Sequence, residues 1–182
     1  LVRILTPLIK FRACRDARVV TGDAMEVRGG CGYIEDFPDA RLVRDAHLGS
    51  IWEGTSNIVA LDVLRAAQRE GSLEALEGHL AALRATTPED LPHLDTATER
   101  AFALARHALG EGGPVLARQA GTALYNIASA TAMAWEAARI GSPERRELAR
   151  LVLVHRVLPR DPLAPEAEAI PDALLPDPGG AR

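Results

Sequence analysis

Aromatic side chains are scarce in this chain. Two tryptophans, two tyrosines and three phenylalanines amount to 4% of 182 residues, whereas 47% of the chain is apolar. The core must therefore be built from leucine, alanine and valine, a composition that favours packed helices over a sheet. Cysteine is scarcer still. Cys14 and Cys31 form no CxxC pair, which excludes a disulfide framework and fits a reducing, cytoplasmic location. No apolar run approaches the roughly 18 residues of a membrane span, and no secretory signal pattern is visible, so no membrane partner is expected. An excess of positive charge is missing as well: 21 lysines and arginines face 25 acids, for a net charge of −4. That balance leaves no electropositive footprint for nucleic acid. His47, His79, His93, His107 and His155 are scattered, without metal-ligand spacing, and no metal is expected. There is no initiator methionine. The chain opens on Leu1 and runs straight into "LVRILTPLIKFRACRDARVV", which reads as the middle of a longer protein whose site is shared with an upstream portion.

What is present is helical periodicity. Leu1, Ile4, Leu5, Leu8, Ile9, Ala13, Ala17, Val20, Ala24 and Val27 recur at threes and fours and predict a first helix. Pro7 is tolerable if the helix proper begins near Thr6. "RGGCGY" stops it, because Gly29 and Gly30 reach backbone angles that other residues resist, and Cys14 is placed against the stripe as an inert core cysteine. The following "CGYIEDFPDARLVRDAHLGSIWEG" reads mostly as loop, with two helical turns in "DARLVRDA". A connection that long inside a compact domain points to function. Thr55 or Ser56 caps the next helix, which carries Ile58, Leu61, Val63 and Leu64 and ends by Gly71. Further helices are expected from Ser72 to about Arg84, from about Thr96 to Leu109, and from Pro114 to about Ile140, the last being the longest. Ser142 and Pro143 open a final helix over roughly 144–158. The fold class is all-α: a helical bundle with additional C-terminal helices. Residues 159–182 are proline-rich and expected to be extended or disordered.

The segment "GSIWEGTSNIVALDVLRAAQ" poses the chemical question. Glu53, between Trp52 and Gly54 at the mouth of a helix, is either an ordinary acid favoured by the positive helix end or a placed base. Gly54 is a turn glycine or a point of close ligand approach. Thr55 and Ser56 are caps or ligand-facing hydroxyls, and Trp52 is a core residue or a ligand wall. In "RLVRDAH", Arg44 is expected to pair with Asp45 and so fix the loop that presents Glu53. The residues alone leave these alternatives open.

Residues 24–65, "AMEVRGGCGYIEDFPDARLVRDAHLGSIWEGTSNIVALDVLR", resemble the C-terminal helical domain of the acyl-CoA dehydrogenase flavoprotein family. "LTPLIKFRACRDARVVTGDAM" carries the resemblance back to the start. Its specificity lies in the order: glycine-rich turn, aromatic, acidic pair, proline, arginine–aspartate, then aromatic–Glu–Gly–Thr before a helix. The resemblance implies Glu53 as the catalytic base, removing the proton alpha to the carbonyl of an acyl-CoA thioester while a hydride leaves the beta carbon for FAD. It also implies that the Glu53 backbone N–H donates to the thioester oxygen as enolate-like charge develops. Trp52, Gly54, Thr55 and Asn57 are implied as cofactor contacts. Gly29, Gly30 and Gly32 are implied to approach the FAD of a neighbouring subunit, hence a homo-oligomer. Cys31 departs from the asparagine common at its position.

The resemblance divides the chain into a bundle segment, residues 1–70, a helical extension, 71–158, and the tail, 159–182. The extension resembles the alkylation-response branch of the same family, whose C-terminal helical region binds double-stranded DNA; Trp52 and "NIVALDVLR" fit that branch. Arg145, Arg146, Arg150, Arg156 and Arg160 either meet phosphates or form a solvated charged face with Glu144 and Glu147. The implied function is FAD-dependent alpha,beta-dehydrogenation of an acyl thioester, with a DNA-associated flavoprotein of little turnover as the alternative. Without upstream domains to complete the pocket, this chain alone is expected to be inactive, to hold no FAD tightly and to expose an apolar face.

Overall fold

A computed structural model describes residues 1–69, 71–87, 91–161, 163 and 171–175. Among these, helices α1 (Val2–Val27), α2 (Gly30–Tyr33), α3 (Asp39–Gly49), α4 (Ser56–Ala67), α5 (Ser72–Ala85), α6 (Leu94–Leu109), α7 (Ala117–Ile140) and α8 (Pro143–Val152) account for the fold, and there is no strand. The expected all-α class is observed. Two compact units result, one from Leu1–Leu76 with Leu104–Tyr125 and one from Glu77–Ala103 with Asn126–Arg182, so the division falls inside α5, α6 and α7.

In the first unit α1 starts at Val2 and not near Thr6, which puts Pro7 inside the helix. Pro7 forgoes the backbone bond to the Arg3 carbonyl. The loss is offset by burial of Ile4, Pro7, Leu8 and Phe11 on the same stretch, each large side chain contributing about 1.5–3 kcal/mol when fully buried. The expected stripe continues as core only this far. Val19, Val20 and Val27 are 53%, 65% and 88% exposed. With 26 residues α1, and not the 24-residue α7, is the longest helix. On α4 the buried face is Val59, Ala60, Val63, Leu64, Ala66 and Ala67, a set at the i, i+4, i+7 spacing of one helix side. Ile58, assigned to the stripe, lies off that side and is exposed. A Cβ on Gly121 of α7 would lie 3.5 Å from the Phe11 ring and 3.8 Å from Val63, so α1, α4 and α7 close on one another through small residues.

In the second unit Leu80 of α5, Leu94, Ala97, Ala101 and Phe102 of α6, Ile127, Ala130 and Ala134 of α7, and Ala149 and Leu153 are buried. Burial of Leu94 explains why α6 starts two residues ahead of the expected Thr96. Arg84 of α5 pairs with Asp95 of α6 at 3.0 Å. After α8 the chain winds wider over Leu153–Val157, with the Leu158 N–H reaching the Leu153 carbonyl at 2.8 Å. The Asn126 amide of α7 donates to the Arg156 carbonyl at 3.3 Å. Arg145 pairs with Glu136 at 3.3 Å and Arg150 with Glu147 at 2.5 Å, so two of the late arginines already face carboxylates. Within the tail, Asp172–Leu174 forms a 3-10 turn against α8; Pro162, residues 164–170 and residues 176–182 lie outside the described residues.

The two helix starts that carry a hydroxyl cap residue differ. Ser142 accepts from the Arg145 N–H at 3.2 Å, with Pro143 at the first helical position as expected. Thr55 occupies the cap of α4 without a side-chain cap bond. Ser142→Ala should therefore lose about 1 kcal/mol in urea denaturation, and Thr55→Ala distinctly less. Equal losses would contradict this assignment.

Candidate functional site

The glycine turn is built at the end of α1. The helix stops after Val27, Arg28 closes it, and Gly29 takes φ 59°, reversing the chain into α2. Gly32 is buried, and a Cβ there would lie 2.2 Å from the Met25 carbonyl oxygen and 3.0 Å from the Arg28 Cβ. That glycine is needed for α2 to pack on the last turn of α1. Gly30, by contrast, has nothing within 4 Å of the place a Cβ would occupy, and the same holds for Gly29. The three glycines implied as cofactor contacts thus divide: Gly29 and Gly30 leave bare backbone open to approach, whereas Gly32 serves packing inside the chain. Cys31 is exposed.

The segment from residue 31 to 54, expected to be mostly loop, is mostly helix. Pro38 precedes α3, whose three turns bring the chain to Gly49 and leave a bend of only residues 50–55. The turn before α3 is clamped. Arg28 Nε lies 3.1 Å from Asp39 with its guanidinium 5.3 Å from the Phe37 ring. Arg44 forks onto Glu35 at 2.8 and 3.1 Å, and this hydrogen-bonded cation holds the Glu35 carboxyl below its ordinary pKa. The expected Arg44–Asp45 pair is not formed. Successive residues on a helix diverge, whereas residues a turn apart meet, and Asp45 instead faces Arg41 at 3.7 Å. The Arg44 fork therefore closes the turn ahead of α3 and does not present Glu53.

The bend itself is anchored to α1. Lys10 Nζ donates to the Gly49 carbonyl at 2.9 Å, and Ser50 Oγ donates to the Cys14 carbonyl at 3.0 Å. Gly49 passes close over the Cys14 sulfur, 3.3 Å from where its Cβ would be. Half-buried Cys14 is accordingly a packing residue between α1 and α3, as expected. Beyond Ser50 the Ile51 and Trp52 N–H groups both bond the Leu48 carbonyl at 2.9 Å. Glu53 then takes φ 56° and Gly54 φ 112° before Thr55 opens α4. A left-handed backbone costs a side-chain-bearing residue roughly 1–2 kcal/mol, so the surrounding anchors hold Glu53 in a conformation it does not favour. Gly54 has its own reason to be glycine: besides its φ, a Cβ would lie 3.4 Å from Ile58 and 3.5 Å from Val59.

Residues 52–57 are open. Trp52 is 60% exposed, which removes the core reading. Glu53, Thr55 and Asn57 are exposed as well. Among the described residues the Glu53 carboxylate has no ion-pair partner and its backbone N–H no acceptor, and no hydrogen bond joins this segment to the glycine turn. Large apolar side chains on the surrounding elements share this exposure, including Val27, Tyr33, Leu42, Leu48 and Ile51. Together these uncovered apolar groups form an exposed apolar surface. Among the described residues no helix is long and apolar enough to cross a membrane, and no cluster of three His, Cys, Asp or Glu could hold a metal. An open apolar cleft of about 420 Å³ in the second unit, between Leu80, Ala81 and Ala85 of α5 and Leu94 and Thr98 of α6, contains none of the expected site residues. The anchors Lys10 and Ser50 were not picked out from sequence, since nothing in local spacing marks bonds made 39 and 36 residues away.

Residues 2–68 match the family model described as acyl-CoA dehydrogenase, C-terminal domain. AidB of Escherichia coli (strain K12) is 42% identical over 71 residues, which are 39% of this chain and 13% of that protein. Acyl-CoA dehydrogenase family member 11 of Caenorhabditis elegans is 43% identical over 65 residues, 36% of this chain and 10% of that protein. In three dimensions the crystal structure of Caenorhabditis elegans ACDH-11 in complex with C11-CoA aligns with a TM-score of 0.70 and 25% identity, covering 83% of this chain and 28% of the other. The resemblance to the C-terminal helical domain of the acyl-CoA dehydrogenases is thereby shown, and with it the helical fold. The matched residues span only about an eighth of the AidB chain.

The division among the glycines is measurable. Gly32→Ala should destabilise by at least about 2 kcal/mol, because the added methyl meets backbone that cannot swing aside. Gly30→Ala should be neutral or slightly stabilising in the same denaturation experiment, and a loss at Gly30 matching that at Gly32 would overturn the distinction.

Proposed function

We propose that this chain is the C-terminal helical part of an FAD-dependent acyl-CoA dehydrogenase-like oxidoreductase, with Glu53 as the base. The observation that carries the reading is Glu53 itself, held left-handed at φ 56° with both its carboxylate and its backbone N–H uncommitted. A surface acid has no need of such a backbone. A residue that must aim a carboxylate and an N–H at one ligand does, and backbone strained in this way, held by the surrounding structure, clusters at active sites and ligand clamps.

Acyl-CoA dehydrogenases are FAD-dependent. The residues here fit that cofactor: bare backbone at Gly29 and Gly30, a flat exposed indole at Trp52, a Thr55 hydroxyl not engaged in capping, and the exposed amide of Asn57. Held there, FAD would supply the acceptor for the hydride that leaves the beta carbon. The chain's own contribution is at the alpha carbon. The Glu53 carboxylate takes the alpha proton of the acyl thioester, and the Glu53 N–H donates to the carbonyl oxygen where negative charge builds. A single donor of this kind is worth about 10²–10³ in rate, and it allows a carboxylate to deprotonate a carbon acid far weaker than itself. Base and oxyanion donor move together because they belong to one residue.

The exposed apolar face supports upstream domains of the same protein and a second subunit as partners, the arrangement in which Gly29 and Gly30 would meet a neighbour's cofactor. The unpaired cysteines suit a cytoplasmic location. The DNA-associated alternative draws no support from the late arginines, since Arg145 and Arg150 pair within the chain.

In a longer protein that includes the upstream domains, Glu53→Gln should lower dehydrogenation by about 10²–10⁴ while flavin and thioester still bind. Anaerobic flavin bleaching by a panel of acyl-CoAs reads this, and full turnover of every accepted thioester would end the base assignment. Isothermal titration of the present chain with FAD should find no submicromolar binding.

A further inference from the structure

Away from the Glu53 bend, α1 carries Arg12, Arg15 and Arg18 at three-residue spacing, and Arg118 stands in the first turn of α7 within the same unit. The three α1 arginines are half-buried. The Nε atoms of Arg12 and Arg18 are fully buried without a hydrogen-bond partner among the described residues. One carboxylate offsets the group: Arg12 pairs with Asp16 at 2.5 Å. Arg15, Arg18 and Arg118 have no ion-pair partner among the described residues. Burial, and then the charges of Arg118, Arg18 and Arg12, lower the pKa of Arg15, with Asp16 only partly opposing them; the cations are near enough to repel one another. Arg118 adds to the imbalance by sitting at the positive end of a long helix.

A buried guanidinium N–H without a partner is costly, and Arg12 and Arg18 each carry one at Nε, with Arg15 between them on the helix and Arg118 exposed. After Asp16 is counted, three positive charges remain. One carboxylate would leave two of them unmatched, whereas a phosphate dianion or a pyrophosphate cancels most of the excess. The planar guanidinium offers paired N–H donors matched to an oxyanion. The half-buried setting of the three α1 arginines suits a compact group more than a polymer backbone, which needs an open track. We propose that Arg12, Arg15, Arg18 and Arg118 form a binding site for the phosphate or pyrophosphate group of a small molecule. The site uses none of the residues assigned to the thioester chemistry and does not depend on that assignment.

Thermal melting of this chain at matched ionic strength tests the site, with sodium pyrophosphate, sodium phosphate or ADP at millimolar concentration replacing chloride. Pyrophosphate and ADP should raise the midpoint by about 3–5 °C at roughly tenfold excess over the dissociation constant, and phosphate by less. An equal rise for pyrophosphate and ADP assigns recognition to the diphosphate alone; a larger rise for ADP adds its nucleoside to the same site. Arg15→Gln and Arg18→Gln should each abolish the rise. Arg15→Gln should also melt higher than the parent chain in chloride, because it removes repulsion, an effect that a purely structural arginine would not show. Arg150→Gln should leave the rise intact. Identical melting in pyrophosphate and chloride, or a rise that survives both Arg15→Gln and Arg18→Gln, would overturn the site. So would a short duplex DNA that, at equal phosphate concentration, stabilises more than pyrophosphate through the same arginines.

Discussion

Two bonds from α1 to the end of α3 set the geometry on which the site depends. Lys10 holds the Gly49 carbonyl and Ser50 holds the Cys14 carbonyl, while Gly49 lies against the Cys14 sulfur. With the end of α3 fixed there, and α4 fixed by its buried face of Val59, Ala60 and Val63, only residues 50–55 are left to join them. The chain covers that gap by turning left-handed at two successive positions. One is glycine and tolerates it; the other is Glu53 and does not. The strain is thus local in cost but long-range in cause. It places a carboxylate and a free N–H at one point of an open surface.

That surface leaves a large apolar area uncovered. Valine, leucine, isoleucine and tryptophan side chains lie exposed on the elements around the acidic bend. The arginines of α1 tell the same story in charge. Both features lie in the first unit, which also holds the family match at residues 2–68. Ion pairs do not distinguish the units: the first holds Arg3–Asp62, Arg28–Asp39 and Arg44–Glu35, the second Arg84–Asp95 and Arg145–Glu136. The uncovered large apolar side chains, by contrast, lie mostly in the unit that carries the family match.

Much of this was legible in the sequence wherever the determining physics is local. The helices α5, α7 and α8 follow apolar spacing, and the Ser142–Pro143 start of α8 is capping chemistry confined to four residues. The glycine stop after α1 rests on backbone freedom and appears where expected. Legibility ended where tertiary contacts decide. Apolar periodicity cannot say which half of the α1 stripe is covered within this chain, and Val20 and Val27 stay exposed. The partner of Arg44 depended on α3 forming, which swung Asp45 toward Arg41 and left Glu35 for the fork. Nothing intrinsic to glutamate favours positive φ, so the conformation of Glu53 could come only from its anchors. The role proposed for it comes from family resemblance, not from its neighbours in sequence.

The anchored bend forces residue 53 to be left-handed. Comparing Glu53→Gly with Glu53→Ala in equilibrium denaturation isolates this backbone contribution, since neither variant keeps the carboxylate. If the bend is held as described, glycine should be the more stable of the two by about 1 kcal/mol. If alanine equals or exceeds glycine, residue 53 is not held left-handed, and the joint placement of its carboxylate and N–H loses its basis.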